Sequence, residues 1–160
     1  MRILGVDPGL ITTGYGVVDI DGDKIKVIEA GTIEPNPKDD FEKRVEKVHK
    51  HITSILASHK PDAVVLEKLY SHYKHPTTAC ILGHVRGVIC LAVAQSKTPL
   101  IESPVKRTRK ALMGNGNATK PQVQAFVKRI LKINAEMALD TSDALALAMG
   151  HAHMLRFKLA

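Results

Sequence analysis

Arg2-Ile3-Leu4-Gly5-Val6-Asp7-Pro8-Gly9-Leu10-Ile11-Thr12-Thr13-Gly14-Tyr15-Gly16-Val17-Val18 opens the chain and decides its fold. Residues 2–7 form a mostly apolar run that reads as a buried strand and ends on a carboxylate. Pro8-Gly9 has turn chemistry, and Gly14 to Val18 reads as the returning strand. Asp21-Gly22 is a hairpin signal. Ile25, Val27 and Gly31-Thr32-Ile33 then suggest a third strand. The expectation for residues 1–33 is a three-stranded antiparallel meander.

Pro35 and Pro37 break the chain after the meander. A helix is expected from about 39 to 59, with Phe41, Val45, Val48, Ile52, Ile55 and Leu56 on one face. Pro61 ends it, and residues 62–67 read as a strand buried on both faces. The segment 76–95 is apolar almost all round, which predicts a central helix covered by the sheet and suited to contact a second subunit. Residues 99–102 look like a short strand. The basic run Lys106-Arg107-Thr108-Arg109-Lys110 and the flexible Gly114-Asn115-Gly116-Asn117 follow. Thr119-Lys120-Pro121-Gln122 resembles a capping box with proline near the helix start, and a last helix is expected from about 140 to 155. The order predicts one α/β domain over residues 1–160, built on a central mixed sheet of about five strands flanked by helices.

The chain has 160 residues, 44% hydrophobic and 24% charged, as in an ordinary globular domain with a real core. With 4% aromatic residues and no Trp, that core has to come from Ile, Val, Leu and Ala. No apolar run is expected to serve as a membrane span. The N-terminus turns acidic too early for a signal peptide, so a cytoplasmic protein is expected. Cys80 and Cys90 read as reduced core thiols. On one helix they would be roughly 15 Å apart, beyond the reach of about 7 Å of a disulfide. The net charge of +7 favours an anionic partner such as nucleic acid.

Against that basic background, four carboxylates stand out. Asp7 and Glu67 each end an apolar strand. Asp143 opens Ala144-Leu145-Ala146-Leu147-Ala148, with Asp140 one turn before it. Carboxylates are rarely buried unless paired or bound to metal. If the two strands are adjacent and parallel, Asp7 and Glu67 reach the same sheet edge, where α/β folds gather ligands. Asp140 and Asp143 are three apart and share a helix face. Mg2+ suits such hard oxygen donors, and two ions about 4 Å apart can activate water and stabilise a leaving oxygen in phosphodiester cleavage. Each residue also has an ordinary alternative. Asp7 can be a turn residue, Asp140 a helix N-cap and Asp143 a charge at the favourable end of the helix dipole. Glu67, directly after a core strand, has the weakest alternative.

Six blocks in order then carry a resemblance over essentially the whole length. They are Gly5-Val6-Asp7-Pro8-Gly9, Thr13-Gly14-Tyr15-Gly16-Val17, the strand ending in Glu67, Gly83-His84-Val85-Arg86-Gly87, Gly114-Asn115-Gly116 and Asp140-Thr141-Ser142-Asp143-Ala144-Leu145-Ala146. With these the chain resembles the RuvC family of bacterial Holliday-junction resolvases. The resemblance implies an RNase H-like fold and a homodimer. It implies paired, symmetric nicking of four-way DNA junctions in recombination and repair, dependent on Mg2+ (two ions per site, with Mn2+ able to substitute). It also implies partnership with the RuvA–RuvB branch-migration complex. Asp7, Glu67, Asp140 and Asp143 match the acidic metal-binding and catalytic set. Tyr70 matches an aromatic position that packs on bases near the crossover. Arg109 and Lys120 match basic positions important for junction binding or cleavage.

Lys106, Arg107, Arg109 and Lys110, with Lys120 beyond the loop, can contact phosphates and hold DNA in register without reading its sequence. The alternative for such a run is a solvated helix face. His72 and His75 follow Tyr70 in an expected loop and receive no role. Three other functions compete: an inactive RNase H-like module that only binds junctions, an RNase H-type nuclease on RNA–DNA hybrids, and an actin-like ATPase lobe. Four intact carboxylates argue against the first. The second shares fold and metal chemistry. The third needs two lobes, and no second copy exists in 160 residues.

Overall fold

The computed structural model describes residues 1–68 and 76–159. The meander forms as expected: β1 (Arg2–Asp7), β2 (Thr13–Asp21) and β3 (Lys24–Ile33), with Gly22 in the left-handed region at the β2–β3 turn. Helix α1 (Phe41–His59) follows, then β4 (Ala63–Glu67), α2 (Pro76–Gln95), β5 (Leu100–Ser103), α3 (Val105–Met113), α4 (Lys120–Leu131) and α5 (Leu139–Leu159). The sheet order is β3-β2-β1-β4-β5. The first three strands pair antiparallel, and β4 runs parallel to both β1 and β5. This mixed sheet with helices on both faces is an RNase H-like fold.

Strand alternation distributes the core. Leu4, Val6, Val64 and Leu66 face α1 and α2, meeting Val48, Ile52, Val85 and Ile89. Ile3 and Val65 face the opposite way, against Leu145, Ala148 and Met149 of α5 and Val123 and Val127 of α4. Asp7 and Glu67 follow Gly5 and Val65 by two residues, so they inherit the α5 side of the sheet. Parallel register (Gly5↔Val65, Val6↔Leu66) brings both carboxylates to one edge.

Three expectations need correction. Asp140 is the second residue of α5, which begins at Leu139, so it is no N-cap. Cys80 is exposed and Cys90 half-buried, because α2 buries only one face, through Val85, Ile89, Ala92 and Val93. Within α2, Thr77–Gln95 is also long and apolar enough by length and composition to cross a membrane, contrary to the sequence reading. Its composition contains a single ionised side chain, Arg86, and that side chain is buried against the sheet edge.

Candidate active site

Three elements deliver the four carboxylates. Asp7 stands at the end of β1, where the turn to β2 is tied by Thr13. The Thr13 hydroxyl donates to the Gly9 carbonyl (2.6 Å) and accepts from the Gly9 N–H (3.2 Å). Glu67 stands at the end of β4. Asp140 and Asp143 lie in the first turns of α5, which sits directly on the meander because β1 and β2 carry glycine beneath it. A Cβ at Gly5 would overlap the Ala144 carbonyl, and one at Gly14 would overlap the Asp140 carbonyl. Glycine inside a strand often marks such a close backbone approach.

The carboxylates converge on one ammonium. Lys120 Nζ lies 2.8 Å from Asp143, 3.3 Å from Asp140 and 3.8 Å from Asp7. Glu67 stands beside Asp7 and acts on its carboxyl directly. The Asp7 carboxyl is pushed up to about 9, first by burial and then by the neighbouring Glu67 carboxylate, with Lys120 only partly opposing them. Burial alone would lower the Lys120 ammonium. Its bond to Asp143 and the charges of Asp7, Asp143 and Asp140 outweigh that, and its net shift is upward. The four carboxylates outnumber the two cations beside them, Lys120 and Arg109, and the Asp7 carboxyl is held well above the usual carboxylate range.

Arg109 is also turned inward. It donates to the Ala118 carbonyl (2.6 Å) and lies 3.6 Å from Asp143, with its Nε buried and unpartnered among the described residues. Lys106, Arg107 and Lys110 of the same basic run face solvent. The five cations thus divide into two groups: Lys120 and Arg109 at the carboxylates, and an exposed set of three on α3. Helix α3 is seated by a buried hydrogen bond between Ser103 and Thr108 (2.8 Å). Thr119 closes the expected capping box with Gln122 at the start of α4, which fixes where Lys120 emerges. Tyr70, His72 and His75 lie outside the described residues.

Two clefts meet at Glu67 and Lys120. A cavity of about 580 Å³ runs between α3 and α5, lined also by Lys106, Arg109, Asn117 and Asp143. The other, of about 280 Å³, is lined by Asp7, Pro8, Thr12, Leu82 and Asp140. Among the described residues no three side chains already form a metal-ligating group. Lys120 lies among the oxygens instead. The donor set still fits a divalent ion: it is all hard oxygen, and it is short of positive charge.

The profile of the family described as crossover junction endodeoxyribonuclease RuvC matches residues 3–151. The chain belongs to that RuvC family. A RuvC of Rhodopirellula baltica is 40% identical over 151 residues, 93% of this chain and 85% of the relative. Thermus thermophilus RuvC superposes with a TM-score of 0.88 at 28% identity, covering 99% of this chain and 97% of that one. The T. thermophilus RuvC in complex with Holliday junction substrate also superposes at 0.88, with 25% identity, 98% of this chain and 96% of that one.

The resemblance drawn from the six blocks thus rests on membership. Sequence reasoning placed Lys120 with the basic run and missed its position among the carboxylates. The available signal was its helix-start location, opposite an acidic helix start. Arg86 was quoted only as part of a block. Its signal was an ionised side chain in the otherwise uncharged apolar segment 76–95.

Proposed function

We propose that this protein is a structure-selective endodeoxyribonuclease that resolves four-way DNA junctions in recombination and repair. It works as a cytoplasmic homodimer, by paired symmetric hydrolysis of phosphodiester bonds, in partnership with a RuvA–RuvB branch-migration complex. The observation that carries the reading is the convergence of Asp7, Asp140 and Asp143, with Glu67 beside Asp7, around Lys120 in a chain of the RuvC family.

Asp7, Glu67, Asp140 and Asp143 would hold Mg2+, with two ions per site, and Mn2+ can replace it. A bound divalent pair supplies charge neutralisation and Lewis-acid assistance to the attacking water and the leaving oxygen. Asp7 would serve as a ligand in its ionised form, the form that a divalent ion favours over the proton. Lys120, at the same carboxylates, would offer its ammonium to a phosphate oxygen of the substrate. Arg109 holds Asp143 from the other side and tethers α3 to the α4 start through Ala118. Lys106, Arg107 and Lys110 offer point charges to the flanking phosphates. Tyr70 would stack on bases near the crossover.

The test is cleavage of an end-labelled synthetic four-way junction in Mg2+, with Asp7→Asn beside the wild type. Paired nicks that ligase reseals, lost in a variant that still binds the junction, are the expected result. Binding without cleavage by the wild type, in Mn2+ as well, would make the protein a binding module. Cleavage of RNA–DNA hybrids alone would leave the fold right and the substrate wrong.

A further inference from the structure

Arg86 is the only Lys, Arg, Asp or Glu between residues 76 and 95. It is buried, with its guanidinium bridging two strands: one NH2 group donates to the Glu67 carbonyl of β4, the other to the Glu102 carboxylate of β5. A buried guanidinium needs such partners, since an unpaired buried charge is costly. The Glu67 carbonyl in turn needs Arg86. The Lys68 N–H donates to Ser103 on β5 (3.0 Å). Across that trans peptide the Glu67 carbonyl points the opposite way, towards β1. There the parallel ladder would continue at position 8, and Pro8 has no N–H to give. The turn chemistry that ends β1 therefore strands the backbone of the neighbouring carboxylate residue, and Arg86 completes its bonding.

We infer that Arg86 is a positioning residue, which sets the backbone of Glu67 and so the aim of its carboxylate into the acidic cluster. Its forked, planar guanidinium spans the ends of β4 and β5, a reach that a lysine ammonium does not reproduce. Glu102, with its side chain half exposed on β5, anchors the far arm. Among the described residues Arg86 lines neither cleft that Glu67 lines, and its recorded bond to the site is the one to the Glu67 carbonyl.

The inference rests on the proposed metal-dependent function, and the experiment separates the two. Arg86→Met, Arg86→Lys and Glu102→Gln are compared with wild type in three measurements: Mn2+ binding by calorimetry, the backbone carbonyl 13C shift of Glu67 in metal-free protein, and junction affinity in chelator. Removing outer groups that orient a metal ligand typically costs about 10–100-fold in metal affinity. Arg86→Met should weaken Mn2+ binding within that range and move the Glu67 carbonyl resonance. Junction affinity should stay within about twofold, because metal-free binding rests mainly on phosphate contacts elsewhere. Arg86→Lys should recover part of the loss, and Glu102→Gln should show a smaller one.

A folded Arg86→Met with wild-type Mn2+ affinity and an unmoved Glu67 resonance overturns the inference. So does a loss of junction affinity in step with metal affinity. If Arg86→Met does not fold, Arg86→Lys and Glu102→Gln decide, and wild-type behaviour of both overturns it. A wild type that neither binds Mn2+ nor cuts junctions counts against the function proposed above. The Glu67 resonance still reads the Arg86 contact in that case.

Discussion

Asp7 shows how a single residue couples charge to stability. Its folded carboxyl is raised to about 9 from an ordinary 3.8, chiefly by burial and then by Glu67. A group raised in this way binds more protons folded than unfolded. Its stabilising contribution is complete below the unfolded value and is lost as pH climbs through the folded one. Between about pH 4 and 9 the metal-free protein should therefore lose stability as pH rises, and Asp7→Asn, which has no proton to lose, should not share that loss. Thermal unfolding in chelator at pH 5 and pH 8.5 checks this. The variant's advantage in Tm should widen at the higher pH, and a constant gap would mean that Asp7 is ionised without metal. Mg2+ should reverse the order, because only the wild type gains the full ligand set.

At the scale of elements, the contact between β2 and α5 places two of the four carboxylates. Gly14 lies under the Asp140 carbonyl with no room for a methyl group. In Gly14→Ala the start of α5 has to lift, and relieving such overpacking typically costs about 1–3 kcal/mol. Asp140 and Asp143 would move with the helix, and a displacement of about 1 Å in a catalytic constellation can cost on the order of 100-fold in rate. Urea unfolding together with single-turnover junction cleavage measures both effects. A stable variant with full cleavage would show that α5 can shift without disturbing the site.

Across the whole molecule, the unbalanced element is α2. Its inner face, with Val85, Ile89, Ala92 and Val93, packs on the sheet and α1. Its outer face leaves Leu91 about half exposed (51%) and Cys80 open to solvent. A second copy covering that face would explain why an apolar helix of 20 residues is retained in a chain with net charge +7. Leu91→Glu places a charge on the outer face without touching the core. Light scattering should give twice the chain mass for the wild type and about one chain mass for the variant. Monomer stability should change by no more than about 0.5 kcal/mol, as for an ordinary surface substitution. A monomeric wild type would end the homodimer reading and, with it, the paired symmetry of cleavage.

Local chemistry determined much of this protein. Apolar runs ending in Asp7 and Glu67, turn residues at Pro8-Gly9 and Asp21-Gly22, and the capping box at Thr119 are all short-range signals. Each set its element wherever no distant contact competed. The mixed sheet, the meander and the four carboxylates were legible for that reason, and six ordered blocks were enough to indicate the family. What depended on through-space packing was decided only by the tertiary structure. Lys120 reads as one more basic residue until α4 and α5 bring it within 3.8 Å of three carboxylates. Arg86 has no meaning along the chain, because its partners at Glu67 and Glu102 are joined only by sheet pairing. Cys80 reads as core because its helix is apolar all round, yet exposure depends on which face meets the sheet. Sequence periodicity fixes how residues are spaced on an element. Which neighbour each face meets, and therefore which charges share a site, is fixed by packing between segments far apart in the chain.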